Sequence, residues 1–393
     1  MKRPLLNARL AGMGTTIFAE MSALAVTTGA VNLGQGFPDV DGPREIAEAA
    51  AEAIRAGRGN QYPPGAGVPE LRQAIAAHQK RFYGFDLDPD SQVLVTVGAT
   101  EAIAAALLAL LEPGDEAIAF EPYYDSYAAS VAMAGATRVP VTLRPPYFRP
   151  DLDALRAAIT PRTRVILLNT PHNPTGVVFT LDELARVAEL ACEHDLLVVS
   201  DEVYEHMVFD GTHLPIASLP GMAERTVSIS SAAKTFSFTG WKVGWVTGSP
   251  EIVTAVRTVK QFLTYVSSGP FQYAIAQGLA LPDSYYASVA GDLRPKRDFF
   301  CDGLAAAGFE VYRPAGTFFV TTDVRPLGYA DGVRFCKELP HRAGVVAIPS
   351  SVFYDNVEAA RSQVRFAFCK KREVLAEALA RLEAVRPAGR QGH

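Results

Sequence analysis

The sequence predicts an α/β protein with a large, mostly parallel sheet domain and a smaller α+β domain built from both termini. Three observations carry this reading. Between about residues 45 and 280, short β-branched runs alternate with stretches of helical periodicity, the pattern of strands covered on both faces by helices. After about residue 281 the texture changes to a long helical stretch, separated strand-like runs and a final helix. A chain of 393 residues with 49% hydrophobic composition has enough apolar surface for one large core and one smaller one.

The elements follow in order. An N-terminal arm with part of the small domain is expected over residues 1–44, the large domain over 45–280 and the small domain over 281–393. In the large domain "REIAEAAAEAIRAG" and "VPELRQAIAAHQKRF" read as helices. "QVLVTVG" reads as a strand leading into the helix "TEAIAAALLALL". "DEAIAFEP", "RVILLN", "LLVVSDE" and "RTVSISS" read as further strands, with "LDELARVAELACEH" a helix between the second and third of these. In the small domain the expected order is a helix through "LRPKRDFFCDGLAAAG", strand "FFVTTDV", helix "GVRFCKEL", strands "VVAIPS" and "VRFAFC", and a closing helix.

Composition removes several function classes. The net charge of −5 with acids and bases interspersed offers no basic stripe for nucleic acid. Cys192, Cys301, Cys336 and Cys369 are scattered, with no Cys-x-x-Cys pair and no histidine at metal-ligand spacing, so neither a disulfide framework nor a metal is expected. The longest apolar run, "AIAAALLALL", is too short to span a bilayer, and the basic start has no apolar stretch of secretory-signal length. No membrane association and a cytoplasmic location are the expectation.

Ligands of open α/β sheets bind outside the carboxyl ends of the strands, and four strand ends here carry unusual polar groups. Gly98, Ala99 and Thr100 follow a strand and open a helix, so their N–H groups form an anion site at the positive end of the helix dipole. In "LLNTPHNPTG" the prolines stiffen a loop whose Asn169 and Asn173 amides can donate to an oxygen-rich ligand. In "VVSDEVY" Asp201 ends a buried-type strand where it can face a cationic atom, with Tyr204 three residues on; Glu202 and Glu205 read as helix-start or surface acids. In "SAAKTFSFTGWKVGW" Ser231 and Lys234 follow a strand, and a desolvated lysine with Lys242 nearby loses its proton far below its ordinary value, becoming a nucleophile for a carbonyl.

One ligand unites these parts: it has a phosphate, a cationic ring nitrogen, a ring oxygen and an aldehyde, as pyridoxal 5'-phosphate does. Gly98 to Thr100, Ser231 and Lys242 would take the phosphate, Asp201 the ring nitrogen, Tyr204 and Asn173 the ring oxygen, and Lys234 the aldehyde. Tyr124, in "EPYYDSY", would stack on the ring. No Gly-x-Gly-x-x-Gly follows a strand, which argues against a nicotinamide enzyme.

With these residues in hand, the chain resembles the fold-type I, class I/II aminotransferases over nearly its whole length. "NLGQGFPD", "NQYPP", "NTPHNPTG", "SDEVYEH", "SSAAKTFSFTGWKVGW" and "VRFAFCKK" resemble the branch holding kynurenine, glutamine and methionine aminotransferases. "TTIFAEMSALA" and "VTVGATEAIAAALLAL" resemble the actinobacterial N-succinyldiaminopimelate aminotransferases. The resemblance implies that Lys234 is the Schiff-base lysine and that Arg365 clamps the substrate α-carboxylate with help from Gly36 and Asn173. It also implies that Tyr62 reaches the phosphate of a neighbouring subunit, making a homodimer with shared sites, and that the substrates are small-molecule amino acids and 2-oxo acids. Two departures bear on substrate and not on cofactor: Tyr124 stands where relatives often have Phe, and "YVSSGPFQ" lacks a histidine that some kynurenine enzymes carry. A carbon–sulfur lyase acting on cysteine conjugates would use the same lysine, and pyruvate formed without an oxo-acid acceptor would mark it. A transcription regulator with such a fold as its sensor would need a winged-helix segment ahead of "NLGQGFPD", which begins after only about thirty residues.

Overall fold

The computed structural model describes residues 5–11, 13 and 17–386; the start of the chain and the two threonines of "TTIFAEMSALA" lie outside them. Strand β1 (Val31–Asn32) precedes a seven-stranded sheet made of β2 (Val93–Val97), β3 (Glu116–Glu121), β4 (Thr137–Thr142), β5 (Thr163–Asn169), β6 (Leu197–Asp201), β7 (Thr226–Ser231) and β8 (Val243–Thr247). Its order is β2-β8-β7-β6-β5-β3-β4, and β8 alone runs against the rest.

Both faces of this sheet are apolar because successive side chains of a strand point to opposite sides. Ala117, Ala119, Val165, Leu167 and Val199 enter one core, under helices Gly98–Leu110, Asp125–Ala134 and Pro250–Leu263. Their neighbours Ile118, Phe120, Ile166, Leu168 and Val198 enter another, beneath helix Leu181–Glu193. A slip of one residue in β5 would exchange the two sets, so register is tightly specified. Helix ends are set locally. Pro69 opens helix Pro69–Tyr83, which Gly84 closes in the left-handed region at φ +77°, and Thr180 with Glu183 forms a capping box on Leu181–Glu193.

A second sheet contains β9 (Glu310–Tyr312), β10 (Phe319–Asp323), β12 (Ile348–Pro349) and β13 (Gln363–Ala367), antiparallel in the order β12-β13-β10-β9. Strand β11 (Val345–Val346) pairs in parallel with β1, which brings the N-terminal segment into the C-terminal body. Met21, Ala25 and Leu33 share one core with Phe300, Phe335, Phe366 and Leu375. Tyr204 and Met207, from the turn after β6, reach into that same core.

Two strands of the large sheet have no counterpart in the sequence reading. Strand β4, "TRVPVT", lies at the sheet edge, carries Pro140 and is only partly buried, so it lacks the apolar run of an inner strand. Strand β8, "VGWVT", is fully buried, but its glycine and tryptophan obscure the β-branched pattern. Both glycine and tryptophan are needed there. A Cβ on Gly244 would lie 2.6 Å from the Gly98 carbonyl carbon, and Trp245 fills the core beside Ile46 and Ile275.

Candidate active site

The carboxyl ends of β2, β5, β6 and β7 border one cavity of about 240 Å³, with β13 supplying a further wall. Gly36, Gly98, Ala99, Thr100, Tyr124, Asn173, Asp201, Tyr204, Ser231, Lys234, Lys242 and Arg365 all line it. Residues from 36 to 365 in the chain therefore meet in one place. Tyr62 does not: it is 81% exposed and packs edge-on against Tyr265, ring centres 5.5 Å apart.

Asp201 is the last residue of β6, directly opposite Asn169 at the end of β5. The Tyr127 hydroxyl donates to one carboxylate oxygen at 2.6 Å and the Val203 N–H to the other at 3.3 Å. Burial pushes this carboxyl up to about 6, against those hydrogen bonds and the neighbouring Lys234. Asn169 holds the frame. Its amide donates to the Asp201 carbonyl at 2.8 Å, and its oxygen accepts from the Asn173 N–H at 2.8 Å. The amide read from sequence as a ligand donor is thus spent on bracing two others.

Lys234 sits in the one-turn helix Ala232–Thr235 that β7 feeds. Its Nζ lies 3.4 Å from the Gly36 carbonyl, 5.7 Å from the Tyr204 ring centre and 5.4 Å from that of Phe318. Desolvation lowers its pKa most; Cys369 and Asp201 act in the other direction, and Arg365 and Lys242 reinforce the lowering. Ser231 caps that helix, accepting from the Ala233 N–H at 3.1 Å and donating to the Val243 carbonyl at 3.2 Å. Lys242, exposed and in the left-handed region at φ +54°, sets its amine over the start of helix Gly98–Leu110. A Cβ at Gly98, itself at φ +71°, would stand 3.1 Å from that amine. Lysine and helix N-terminus thus form one anion cradle.

Arg365 lies in the middle of β13 and is 2% exposed. One terminal nitrogen donates to Asn173 Oδ1 at 3.1 Å and the other to the Gly34 carbonyl at 2.8 Å. The guanidinium is set among the rings of Phe319, Phe353 and Phe18, with centres at 4.1, 4.9 and 5.3 Å. Among the described residues no carboxylate pairs with it and its Nε has no partner; burial brings it down to about 10. A buried, unpaired donor of this kind carries a standing desolvation cost that a ligand carboxylate would remove.

Residues 28–382 match the family described as aminotransferase class I and II. The chain belongs to the class I and II aminotransferases. It is 54% identical to a probable N-succinyldiaminopimelate aminotransferase of Mycobacterium tuberculosis, over 97% of this chain and 99% of that protein. It is 41% identical to a methionine aminotransferase of Escherichia coli, covering 96% and 97%. The solved structure of an N-succinyldiaminopimelate aminotransferase from M. tuberculosis superposes with a TM-score of 0.95 at 54% identity, covering 97% of this chain and all of that one.

As an aminotransferase the protein is a pyridoxal phosphate enzyme, and the cavity fits that cofactor. A lysine disfavoured as a cation, a desolvated carboxylate, an amine over a helix N-terminus and an unpartnered guanidinium answer its aldehyde, ring nitrogen and phosphate and a substrate carboxylate. Phe18, Thr239 and Phe319 also line the cavity and were not among the predicted site residues, and Asn169, read from sequence as a donor, lines it too. Phe18 comes from the N-terminal helix Ile17–Thr28, and Phe319 carries an apolar side chain that reads as ordinary core. Tyr127 stood in the quoted "EPYYDSY", and helical spacing alone did not reveal which tyrosine turns inward.

The reading of Glu202 and Glu205 as helix-start or surface acids is corrected. Both are buried. Glu202 accepts from Ser200 at 2.7 Å and faces His213 Nε2 at 3.2 Å; Glu205 accepts from Tyr83 at 2.6 Å and from Ser230. Several of their hydrogen-bond partners, among them Tyr83, His213 and Ser230, lie well apart in sequence, which local pattern could not show.

Proposed function

We propose that this aminotransferase moves an amino group between N-succinyl-LL-2,6-diaminopimelate and 2-oxoglutarate, with glutamate as the paired amino donor, as a step of lysine biosynthesis. The observation that carries the substrate is the 54% identity, at near-complete coverage of both chains, to a relative named for that reaction. The unpartnered Arg365 guanidinium supports the wider class of α-amino and 2-oxo acids.

When bound, the cofactor supplies an aldehyde to take up the amino group and an electron-poor ring to accept charge from the substrate Cα. Lys234, close to Tyr204 and disfavoured as a cation, carries the proton to and from that Cα. Asp201 holds the proton on the ring nitrogen, and Asn169 and Tyr127 position it. Arg365 and Asn173 orient the α-carboxylate, with Gly36 beside them. The N–H groups of Gly98 to Thr100, with Lys242 and the capped end at Ser231, would hold the phosphate; Tyr124 would stack on the ring, and Tyr204 with Asn173 would meet its oxygen. The division into bodies at about residues 45 and 281, the cytoplasmic location and the homodimer belong to this proposal. Exposure of Tyr62, Phe262 and Tyr265 supports a subunit contact through which Tyr62 of the partner subunit reaches the phosphate. Among the described residues, no helix is long and apolar enough to cross a membrane.

A second reading, a broad-range methionine, glutamine or kynurenine aminotransferase with cysteine-conjugate β-lyase activity, has its own support. An adjoining cavity of about 660 Å³ shares Phe18 with the first and is lined by Leu10, Ile17, Met133, Val352 and Phe353. Its described charged residues, Glu20 and Asp125, are acidic and would repel the far end of the succinylated substrate, where the succinyl carboxylate and the distal amino-acid carboxylate are both anionic. Glutamate offered with a panel of oxo acids separates the readings. Turnover of the succinylated oxo acid supports the first; failure there with success on phenylpyruvate or the methionine oxo acid reverses the order. Pyruvate and ammonia released without an acceptor would add the lyase.

A further inference from the structure

Outside the lining of the first cavity, a second group of chemistry-bearing side chains meets. His78, in helix Pro69–Tyr83, and His206, five residues beyond β6, bring their Nε2 atoms to 2.8 Å, and the Glu205 carboxylate joins them with all three ligand atoms within 4.8 Å of one another. His78 is 2% and Glu205 5% exposed, while His206 is part-buried and borders a surface cavity of about 280 Å³. Tyr83, Thr212 and His213 line the same cavity, and His213 Nδ1 is buried without a partner.

We propose that His78, Glu205 and His206 bind a divalent transition-metal ion of the zinc type, with water from the cavity completing four-coordination. Two imidazoles and a carboxylate are a recurrent zinc donor set, and nitrogen with oxygen donors selects such ions over magnesium or calcium. Tetrahedral bonds of about 2.0–2.1 Å hold two nitrogens about 3.3 Å apart, so the rings need to part by only about half an ångström. The surroundings suit ligand orientation. The Tyr83 hydroxyl donates to Glu205 at 2.6 Å and fixes its carboxylate. The expectation of no metal rested on cysteine spacing; this cluster uses histidines 128 positions apart, brought together by the fold. A bound ion would tie helix Pro69–Tyr83 to the turn that bears Asp201 and Tyr204.

The competing account is a plain hydrogen bond between two neutral imidazoles. Cofactor-loaded protein, stripped of metals with a chelator and desalted, is titrated with cobalt(II) and then zinc(II). The proposal expects one equivalent bound, a cobalt spectrum of nitrogen and oxygen ligation, and displacement by zinc. His78→Gln and His206→Gln should each weaken binding at least about tenfold, and Tyr83→Phe less. Wild-type affinity no greater than that of either glutamine variant would overturn it. So would a thiolate-to-cobalt charge-transfer band, which places the ion on a cysteine such as the exposed Cys192. The spectral reading needs only the wild-type protein and stands even where a variant does not fold.

Discussion

The two sheets furnish the cavity in different ways. The large parallel sheet delivers its polar groups from strand ends and the turns after them, so Asn169, Asp201, Ser231 and Lys234 hold their places without breaking a ladder. The small antiparallel sheet delivers Arg365 from mid-strand, paired with Thr321 on one side and Ile348 on the other. At the strand ends, charges are braced by hydrogen bonds from neighbours such as Tyr127; mid-strand, the guanidinium is wrapped in phenyl rings and left partly unsatisfied. In the proposed function, the first arrangement would tune a proton affinity, whereas the second would store binding capacity for an anion.

Substitutions sharpen this contrast. Lys234→Ala should lower amino transfer to 2-oxoglutarate by at least about 10⁴-fold, since the other lysine lining the cavity among the described residues, Lys242, sits at the anion cradle; near wild-type turnover would break the assignment of chemistry to the strand-end region. Asp201→Asn should cost about 10²–10⁴-fold in kcat, each unit of lost proton affinity on the ring nitrogen being worth about 1.4 kcal/mol. Arg365→Lys, by contrast, should act on binding. An ammonium cannot reproduce the two-pronged contact, so kcat/KM should fall about a hundredfold, mostly through KM, as steady-state kinetics over amino-acid concentration will tell. Gly98→Ala should lower stability by about 1 kcal/mol because of the positive φ, and weaken cofactor retention by crowding Lys242, both read from thermal melts and spectral titration.

Asp201 also provides a pH signature. Its folded value, raised from the ordinary 3.8 to about 6, means that the folded protein binds the proton more tightly than the unfolded chain, so the cofactor-free protein loses stability as pH rises from about 4 to about 6. A cationic ring nitrogen facing the ionised carboxylate offsets that cost. Cofactor affinity should therefore climb by up to about tenfold per pH unit below about 6, and this step should vanish in Asp201→Asn. An identical profile in the variant would assign the titration elsewhere.

The same contrast explains what could be read in the sequence. Lys234, Asp201 and Gly98 follow recognisable strand patterns, so the sheet rule alone collected them before any resemblance was used. Arg365 sits in "VRFAFC", which reads as an ordinary buried strand, and only the family likeness singled it out. Strands β4 and β8 escaped because an edge proline and a glycine–tryptophan alternation mask their period. Phe18 and Glu205 escaped for a different reason: their roles depend on partners far along the chain, which periodicity cannot place.

In its proposed carboxylate-binding role, Arg365, set among three aromatic rings with one nitrogen idle, would make the resting protein a trap for a small monocarboxylate. Acetate or formate in a storage buffer would then behave as a competitive inhibitor against the amino acid, and the choice of counter-ion would alter the measured KM while leaving kcat where it was.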